Sequence, residues 1–443
     1  MSKCTNLILT LLFLVLFAML SEGQAGRIEM PEVVDGQYII VTKGNQRNSF
    51  DLAAAVYEAG GELISMVPEV GMAVAVSEAQ NFSKKLTKRQ GVAYVIPDLK
   101  VRWLSEGPSV SQGISADDEP LYGYQWNMDV IQAEKAWEAG CTGQGVRVAV
   151  LDTGIDPDHP DLESNIDPYY SAKVSCYGIW PDYSDDNGHG TWTAGIIAAA
   201  DNEHGVIGVA PEATIVAVKI LDEAGEAEFS TIVCGIIYAA IVDSDVINMS
   251  LSGYLPKSGR DPEGPFPAFY AAYYLSLMNE AITFAGQLGA TVITAAGNDA
   301  IDLNHNEEWV VLPAEAGNGM AVSATGPVGQ ENFDNPASYT NYGTSATDVA
   351  APGGDHRLYP EPGWELDMVL STWPDDYVWA DGTSASAPHV SGVAALIIGQ
   401  HGGGISPALV KAIIEQSADD LGKPGMDDFY GRGRINAFKA ISR

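Results

Sequence analysis

From residue 146 onward, short apolar runs alternate with longer segments that have the apolar spacing of helices. The runs are apolar at consecutive positions, which is typical of strands buried on both faces. Five runs are predicted as strands and three segments as helices: strands at 146–151, 214–221, 245–251, 290–295 and 320–324, and helices at 191–200, 229–242 and 271–288. This alternation predicts an α/β fold, a parallel twisted sheet with helices on both faces. We assign residues 120–443 to this larger unit.

A smaller unit at residues 36–104 has a different pattern. Its apolar and polar positions predict four strands and two helices: strands at 37–42, 61–66, 71–76 and 92–96, and helices at 49–59 and 81–89. The order β-α-β-β-α-β predicts a small α+β domain of the ferredoxin-like type. The polar tract at 105–119 has no hydrophobic period, so we interpret it as a linker that is open to proteolysis.

The first residues of the chain have the pattern of a targeting segment. Lys3 precedes a nearly unbroken apolar run at 7–20, and small residues follow at 21–23. The run is shorter than the roughly 20 apolar residues of a membrane-spanning helix. We therefore predict a cleaved secretory signal peptide at 1–23, with a retained N-terminal anchor as the alternative.

Charge divides the chain at the same place as the hydrophobic pattern. Residues 24–104 carry nine acidic and nine basic side chains, whereas residues 105–443 carry 48 acidic and 13 basic ones, which accounts for the net charge of −35. Such a surface repels nucleic acid and anionic membranes, so neither is expected as a partner.

Three cysteines follow Cys4, which lies in the predicted signal peptide. An odd number in an exported chain leaves at least one thiol free. Cys234 lies in a run that is apolar on nearly every face, and we interpret it as buried packing. Cys141 and Cys176 lie in loop-like sequence and are the pair that could form a disulfide, although the sequence does not decide this.

Two polar residues lie where a functional site is expected, since sites in parallel sheets gather at the carboxyl ends of the strands. Asp152 ends the first strand of the larger unit, and a buried carboxylate is costly without a partner. Asn298 follows another buried strand, where its amide could donate to a developing oxyanion. The alternatives are a cap of the next turn for Asp152 and an ordinary turn residue for Asn298.

His189 lies between two glycines at the start of an apolar helix. The glycines leave space for another group to approach the imidazole. A single histidine is often an ordinary polar residue, so His189 on its own does not define a site.

The stretch DGTSASAPHVSG at 381–392 places Ser384 at the start of another helix. Free N–H groups and the helix dipole favour negative charge there, and the alternative is that Ser384 only caps the helix. His389 is close in sequence but is poorly placed to face the Ser384 hydroxyl. Ser386 and Ser391 are interpreted as small packing residues of the same helix.

Taken together, these segments resemble the subtilisin-like serine proteases, the subtilase family. The order of Asp, His and Ser along the chain is that of the family and differs from the orders of chymotrypsin and the α/β-hydrolases. The resemblance covers residues 120–443 and rests on several blocks: VAVLDTGID, NGHGTWTAGIIAA, NMSLSG, TAAGN, GTSASAPHVSGVAAL and GRGRINAFKAI. The unit at 36–104, with GVAYVIPDLKV near its end, is similar to the inhibitory propeptide of the family.

The resemblance implies a role for each candidate residue. Ser384 would be the nucleophile, His189 the general base and then acid, and Asp152 the group that orients the imidazole. Asn298 and the backbone N–H of Ser384 would form the oxyanion hole. No cofactor is expected for catalysis.

The resemblance also implies a substrate-binding segment, Ser250, Leu251, Ser252 and Gly253, which would pair with the substrate backbone and form one wall of the specificity pocket. The family usually has glycine where Ser252 stands. The segment HGTWTAG, which contains Trp192, stands where the family usually has HGTHVAG. We expect altered packing at Trp192 without loss of catalysis. The segment at 254–280 is longer than usual, and its aromatic residues either border the cleft or pack in the core.

Structural calcium is common in the family, and Asp161 matches a usual ligand position. Asp201, in the loop at 201–209, is a second candidate ligand, because Ca²⁺ prefers oxygen ligands. The alternative is a solvated acidic loop. The cluster of Asp182, Asp185 and Asp186 either favours cationic residues in substrates or is also a solvated face.

The sequence therefore predicts a secreted serine endopeptidase that acts through an acyl-enzyme and is made as an autoprocessed prepro-enzyme. The unit at 36–104 would assist folding and act as an intramolecular inhibitor until autocleavage in the linker removes it. The expected partners are protein or peptide substrates, and we expect a monomer. Two alternatives are a subtilase-fold protein that binds peptides without cleaving them, and an α/β-hydrolase esterase, for which GTSAS lacks the second glycine of GxSxG.

Overall fold

The computed structural model describes residues 28–44, 51–104, 121–257, 259–261, 264–266 and 268–443. The predicted signal peptide at 1–23 and the predicted linker at 105–119 lie outside these residues. Within the described part of the chain, no helix has the length and apolar character needed to cross a membrane.

The N-terminal unit has the predicted order of elements: β1 (Glu32–Thr42), α1 (Leu52–Ala59), β2 (Glu62–Val67), β3 (Met72–Val76), α2 (Phe82–Leu86) and β4 (Val92–Arg102). Its strands lie side by side in the order β2-β3-β1-β4, and all the pairs are antiparallel. The helices cover one face, where a small apolar core holds Leu52, Val56 and Phe82.

The larger unit contains fifteen strands among the described residues: β5 (Arg147–Asp152), β6 (Ala172–Ser175), β7 (Gly178–Trp180), β8 (Thr214–Lys219), β9 (Glu226–Glu228), β10 (Val246–Met249), β11 (Gly253–Pro256), β12 (Gly259–Asp261), β13 (Gly264–Phe266), β14 (Thr291–Ala295), β15 (Trp309–Leu312), β16 (Met320–Thr325), β17 (Val349–Pro352), β18 (Val369–Trp373) and β19 (Asp376–Ala380). Its helices are α3 (Trp126–Val130), α4 (Ala133–Glu138), α5 (His189–Ala198), α6 (Phe229–Ile241), α7 (Ala268–Leu288), α8 (Thr383–Gln400), α9 (Pro407–Ser417) and α10 (Ala437–Ile441). Short 3₁₀ turns lie at Leu121–Tyr124 and Trp364–Asp367.

The central sheet has the strand order β17-β16-β14-β10-β5-β8-β6-β7. Every pair in it is parallel except β6 with β7, which form an antiparallel hairpin. Side chains of β5 alternate between two cores: Val148 and Val150 face one, and Ala149 and Leu151 face the other. A strand with two buried faces has no polar side to present, which is why its sequence is a continuous apolar run.

Helices cover both faces of this sheet, so the predicted α/β fold is confirmed. Residues of α6 and α7 pack on one face, in the core that also takes in part of the N-terminal unit. Residues of α5, α8 and α9 pack on the other face. In α8 every residue from Thr383 to Ile398 is buried, because the helix runs through the interior of the larger unit.

The two units share a sheet, which the sequence analysis did not foresee. The last strand of the N-terminal unit was predicted to end at residue 96, but β4 continues to Arg102 and pairs antiparallel with β9. Lys100 lies opposite Glu228 and Arg102 opposite Glu226. Lys100 Nζ also lies 2.5 Å from a carboxylate oxygen of Glu226.

The structure decides the pairing of the cysteines, which the sequence left open, and it is not the pair Cys141 and Cys176. The disulfide joins Cys176 to Cys234, with the Cα atoms 5.6 Å apart, and Cys141 is free. Cys176 follows β6 and Cys234 lies on α6. Both belong to the apolar core on the same face of the sheet. Cys141 packs against the core on the other face. The apolar run around Cys234 indicates burial, and burial does not exclude a disulfide.

Replacing both Cys176 and Cys234 with alanine is expected to lower the free energy of unfolding by about 2–4 kcal/mol, because a loop of 58 residues is no longer closed in the unfolded chain. Urea unfolding of the full chain measures the change. Cys141→Ala is the matched control and should change the value by less than about 1 kcal/mol. Equal effects of the two changes would contradict a stabilising role of the disulfide.

Candidate active site

The structure brings Asp152 and His189 into contact at the carboxyl edge of the central sheet. His189 Nδ1 lies 2.7 Å from Asp152 Oδ1, which also accepts a hydrogen bond from the backbone N–H of Thr153 at 2.8 Å. The Asp152 side chain is fully buried, and that of His189 is 17% exposed. This contact orients the ring, because Nδ1 must carry the proton to donate to the carboxylate.

The charge around His189 favours the imidazolium. Burial, which is the largest influence, lowers the pKa of His189, but the charge and hydrogen bond of Asp152 and the charge of Asp185 together raise it above 6.5. A base with a raised pKa takes up a proton more readily.

We expected the glycines beside His189 to leave space for another group near the imidazole, but other parts of the protein occupy that space. An ideal Cβ on Gly188 would lie 2.2 Å from the ring of Trp373, and one on Gly190 would lie 2.0 Å from the carbonyl oxygen of Gly154. Side chains at both positions are therefore excluded by close packing within the protein. The space that these glycines provide is filled by Trp373 and by the backbone that follows β5.

Asp185 holds the start of the helix that carries His189. Its Oδ1 accepts hydrogen bonds from the N–H groups of Asn187 and Gly188 and from the Thr153 hydroxyl, and its Oδ2 accepts from the N–H and hydroxyl of Thr191. A carboxylate at a helix N-terminus satisfies free N–H groups and is stabilised by the helix dipole. The interpretation of Asp185 as part of a solvated face is therefore wrong.

The other two acidic residues of that cluster are more exposed. Asp186 lies 2.6 Å from Lys219 Nζ, and the Lys219 ammonium also donates to the carbonyl oxygen of Thr153, just after Asp152. Asp182 accepts a hydrogen bond from the N–H of Ser184, and that bond lowers its pKa. The Lys219 side chain is only 5% exposed, so Asp186 balances a nearly buried charge.

Ser384 begins α8 and faces the end of β10. Its hydroxyl donates to the carbonyl oxygen of Ser250 at 3.1 Å, and the Ser250 hydroxyl donates to the carbonyl oxygen of Ser384 at 2.9 Å. Asn248 and Ser391 continue this network, because Asn248 Nδ2 donates to Ser250 Oγ and Ser391 Oγ donates to Asn248 Oδ1. Ser391 is therefore more than the small packing residue that we expected, since it ties α8 to β10.

Asn298 is oriented by the residue that precedes Ser384. Its Oδ1 accepts hydrogen bonds from the N–H and the hydroxyl of Thr383, at 2.8 and 2.7 Å. An ideal Cβ on Gly382 would lie 3.3 Å from Asn298 Nδ2 and 3.5 Å from the Ser384 nitrogen. Two nitrogen donors, Asn298 Nδ2 and the Ser384 backbone N–H, therefore border the space beside Gly382.

His389 is a structural residue, in agreement with the sequence analysis. The ring is fully buried, Nδ1 lies 2.7 Å from the carbonyl oxygen of Ala385, and Nε2 lies 2.8 Å from Asn127 Nδ2. Burial lowers the pKa of His389 to about 4, so it is neutral at ordinary pH. Ser386 donates to the carbonyl oxygen of Ala351 and also lies in the interior.

Trp192 fills a small apolar cluster beside the base. The side chain is 2% exposed and packs with Trp126, Val369 and Ala385, and its ring centroid lies 6.1 Å from that of His189. Aromatic and aliphatic partners therefore surround the indole.

The predicted substrate-binding segment follows β10 and is in contact with the N-terminal unit. Ser250 and Leu251 are buried, and the N–H of Ser252 donates to the carbonyl oxygen of Trp103 at 2.9 Å. Gly253 lies under the Trp103 indole, because an ideal Cβ there would be 2.7 Å from the ring. On the other side, the Trp103 N–H donates to the carbonyl oxygen of Gly225 at 2.9 Å.

The long segment at 254–280 also contacts the N-terminal unit. Tyr273 on α7 stacks on Tyr94 with ring centroids 3.8 Å apart, and the Tyr274 hydroxyl donates to the carbonyl oxygen of Pro97 at 2.6 Å. Tyr274 is also buried in the core. The aromatic residues of α7 therefore serve core packing and the contact between the two units together.

The calcium candidates lie in different environments. Asp161 is fully buried, and its oxygens accept hydrogen bonds from the N–H of Val206 at 2.9 Å and from Asn202 Nδ2 at 3.3 Å. Asp201 is exposed. Because this chain already supplies donors to both oxygens of Asp161, the residues around it do not require a cation. Calcium at this loop stays a prediction, and no catalytic step depends on it.

Within the described ranges, one group of three acidic or histidine side chains has its ligand atoms within 4.8 Å: Asp355, His356 and Asp381. These side chains already pair with each other and with Arg357, so we do not assign a metal to them.

Comparisons with known proteins agree with this geometry. The sequence profile of the subtilase family matches residues 143–433. Thermitase of Thermoactinomyces vulgaris is 34% identical over 325 residues, which cover 72% of this chain and 95% of thermitase. Subtilisin E of Bacillus subtilis strain 168 is 32% identical over 431 residues, which cover 97% and 95%.

A solved structure shows the same fold. The epidermin leader peptide processing serine protease of Staphylococcus aureus matches with a TM-score of 0.75 and covers 94% of this chain and 98% of its own, at 22% identity. The chain belongs to the subtilase family. It is a serine endopeptidase of the subtilisin type and needs no cofactor for catalysis.

Replacing Asp185 with alanine is expected to lower the free energy of unfolding by about 2–3 kcal/mol, because three N–H groups and two hydroxyls lose their acceptor. Asp182→Ala is the matched control, since Asp182 is an exposed neighbour, and it should change the value by less than about 0.5 kcal/mol. Urea unfolding of both variants measures the difference. Equal values would refute the capping role of Asp185.

Proposed function

We propose that this protein is a secreted serine endopeptidase that is made as an autoprocessed prepro-enzyme and cleaves peptide bonds through an acyl-enzyme. The observation that carries the proposal is the main-chain pairing of Trp103. This residue is hydrogen-bonded on one side to Ser252 and on the other side to Gly225, and Ser252 stands two residues after Ser250, which is hydrogen-bonded to Ser384. A cleft that pairs with polypeptide backbone on both sides supports a peptide substrate rather than a simple ester.

In the proposed reaction, the Ser384 hydroxyl attacks the scissile carbonyl carbon while His189 Nε2 takes its proton. The Ser384 hydroxyl donates to Ser250 in the resting structure, so it turns toward His189 when a substrate is bound. His189 then gives the proton to the leaving amine, and the acyl-enzyme remains. A water molecule, deprotonated by His189, hydrolyses the ester and restores Ser384.

Asp152 and Asn298 stabilise the charges of this reaction. Asp152 accepts from His189 Nδ1 and stabilises the imidazolium that forms when Nε2 is protonated. Asn298 Nδ2 and the Ser384 N–H donate to the oxyanion of the tetrahedral intermediate. Thr383 holds the other end of the Asn298 amide, so these donors are oriented before the substrate arrives.

The N-terminal unit acts as the intramolecular inhibitor in this proposal. Strand β4 and Trp103 form hydrogen bonds with the backbone groups that would pair with a substrate. The Trp103 indole also donates to the carbonyl oxygen of Ala227 at 3.1 Å. Asp98 is fully buried in the contact and accepts from the N–H of Ser230 at the start of α6. The chain that follows Trp103 leads into residues 105–119, where we propose the autocleavage.

Secretion is supported by the signal-like N-terminus and by the disulfide. Disulfides persist in oxidising compartments, and the Cys176–Cys234 bond is consistent with an exported protein. The acidic surface of residues 105–443 suits an extracellular enzyme that acts on protein or peptide substrates as a monomer.

Replacing Ser384 with alanine is expected to abolish self-processing, because the nucleophile of the autocleavage is removed. The wild type and the variant are expressed in a protease-free host, and mass spectrometry of the purified chains shows whether the segment up to the linker has been removed. Ser386→Ala is the matched control: it lies two residues away on the same helix, is buried and should mature normally. Maturation of the Ser384→Ala chain at the wild-type site would refute autocatalysis.

Replacing Asn298 with alanine is expected to lower kcat by about 10²–10³ while KM changes little, because the lost donor acts on the oxyanion and not on the bound ground state. Steady-state kinetics with a chromogenic peptide measure both constants. The concentration of active enzyme is determined by titration with a fluorophosphonate. A rise in KM at constant kcat would instead assign Asn298 to substrate binding.

A further inference from the structure

A second histidine–aspartate pair lies at the turn that leads into α8. His356 Nδ1 lies 2.6 Å from Asp381 Oδ2, and the backbone N–H of His356 donates to the same oxygen at 3.0 Å. The Asp381 side chain is only 2% exposed, and Asp381 stands three residues before Ser384. The pair therefore joins the loop after β17 to the residues that begin α8.

The loop that carries His356 is held firmly. The Tyr339 hydroxyl lies 2.9 Å from the carbonyl oxygens of both Gly353 and Gly354, and its ring is parallel to the His356 imidazole, with centroids 6.0 Å apart. An ideal Cβ on Gly353 would lie 2.7 Å from Ser386 Oγ, so the loop also packs closely on α8. His356 is thus attached to a rigid support and not to a free surface loop.

Charges of both signs surround His356. Asp381 and Asp355 face it, and Asp355 is itself buried and paired with Arg357 at 3.0 Å. The N–H and hydroxyl of Ser338 also donate to Asp355, each at 2.8 Å. The hydrogen bond that His356 donates to Asp381 and the charges of both carboxylates raise the pKa of His356 above 6.5, against the effect of burial.

The residue after Asp381 has a backbone that only glycine adopts readily. Gly382 has φ 151° and ψ 161°, and its N–H donates to the carbonyl oxygen of Gly353 at 3.0 Å. Thr383 follows and holds the amide oxygen of Asn298. The position of this turn therefore decides where Asn298 Nδ2 and the Ser384 N–H point.

We propose that His356 is a positioning residue of the peptidase: through Asp381, it holds the Gly382–Thr383 turn that aims Asn298 and Ser384 at the reacting carbonyl. The inference rests on the proposed function, because it assigns His356 to the oxyanion donors of that reaction. His356 does not contact the substrate in this role. The charged form makes the stronger hydrogen bond to Asp381, so protonated His356 is the active form.

The role predicts an effect on kcat and not on KM. Donors stabilise the oxyanion only at about 2.7–3.1 Å, and a misplacement of about 1 Å can cost 10²-fold in rate. The contact between His356 and Asp381 does not include residues 250–253, which would bind the substrate backbone. Loosening the turn therefore weakens the transition state more than the bound ground state.

The test compares His356→Ala and His356→Gln with the wild type, each matured from the full chain and titrated for active sites. We expect His356→Ala to lower kcat about tenfold with KM within twofold, because a charge-assisted hydrogen bond is lost. Glutamine can still donate to Asp381 but carries no charge, so the effect of His356→Gln should be smaller. His305→Gln is the matched control: His305 also pairs with an aspartate at 2.8 Å, but its side chain is 81% exposed.

The pH profile of kcat separates positioning from simple stabilisation. Activity rises with pH as His189 loses its proton, at a pKa above 6.5. The contribution of His356 is present below pH 6.5 and is lost as the pH rises through its raised pKa, which gives an alkaline decline. The His356→Gln variant should lack this decline, whereas His305→Gln should retain it.

A double-mutant cycle tests the route through Asn298. In an Asn298→Ala background, His356→Ala should lower kcat by clearly less than the tenfold expected in the wild type, because one of the two donors that it positions is already gone. Three results would overturn the inference: an unchanged kcat with only a lower melting temperature, an alkaline decline that persists in His356→Gln, or full additivity with Asn298→Ala. A wild type that cleaves no peptide would overturn the proposed function, and this inference with it.

Discussion

A buried carboxylate needs a partner, and at Asp152 that partner is His189. The Asp152 side chain has no exposed surface, and its Oδ1 accepts from both His189 and the N–H of Thr153. Its Oδ2 has no hydrogen-bond partner among the residues that the structure describes. Leaving the charge without the imidazole would cost several kcal/mol, roughly the cost of breaking a buried pair. The surrounding structure positions both side chains: β5 brings the carboxylate to the edge of the sheet, and Asp185 fixes the start of the helix that carries the ring.

A second constraint lies at the start of α8, where the chain passes through Gly382. The backbone conformation there excludes side chains, and Gly353 and Thr383 hold the turn through hydrogen bonds on both sides. The network of Ser250, Asn248 and Ser391 then fixes α8 against β10. The two constraints are built on different strands, so only the order of the strands in the sheet brings Ser384 and His189 to the same edge. A rigid scaffold of this kind is what a preorganised site requires.

Much of this arrangement follows from local pattern, and the exceptions have physical causes. Continuous apolar runs identify strands with two buried faces, and the strand ends then point to Asp152 and Asn298. The disulfide was missed because an apolar run in the sequence does not show on which face of the sheet its residues pack. The capping role of Asp185 was missed because a cluster of aspartates looks solvated when donors from later residues are not considered. The pairing of His356 with Asp381 depends on contacts between loops 25 positions apart, for which no short motif exists.

The shared sheet of the two units has a consequence for the proposed zymogen. Trp103 pairs with two backbone groups of the larger unit, the Gly225 carbonyl and the Ser252 N–H, and β4 pairs with β9. When the N-terminal unit leaves, these groups lose their partners, and an extended substrate is the natural replacement because it offers the same alternation of N–H and C=O. In the proposed zymogen, inhibitor and substrate would compete for the same hydrogen bonds, and the Trp103 indole, which lies over Gly253, would add a side-chain contact to the inhibitor. On this proposal, inhibition and substrate recognition would have one physical basis, the backbone groups of Gly225 and Ser252 that Trp103 occupies in this structure.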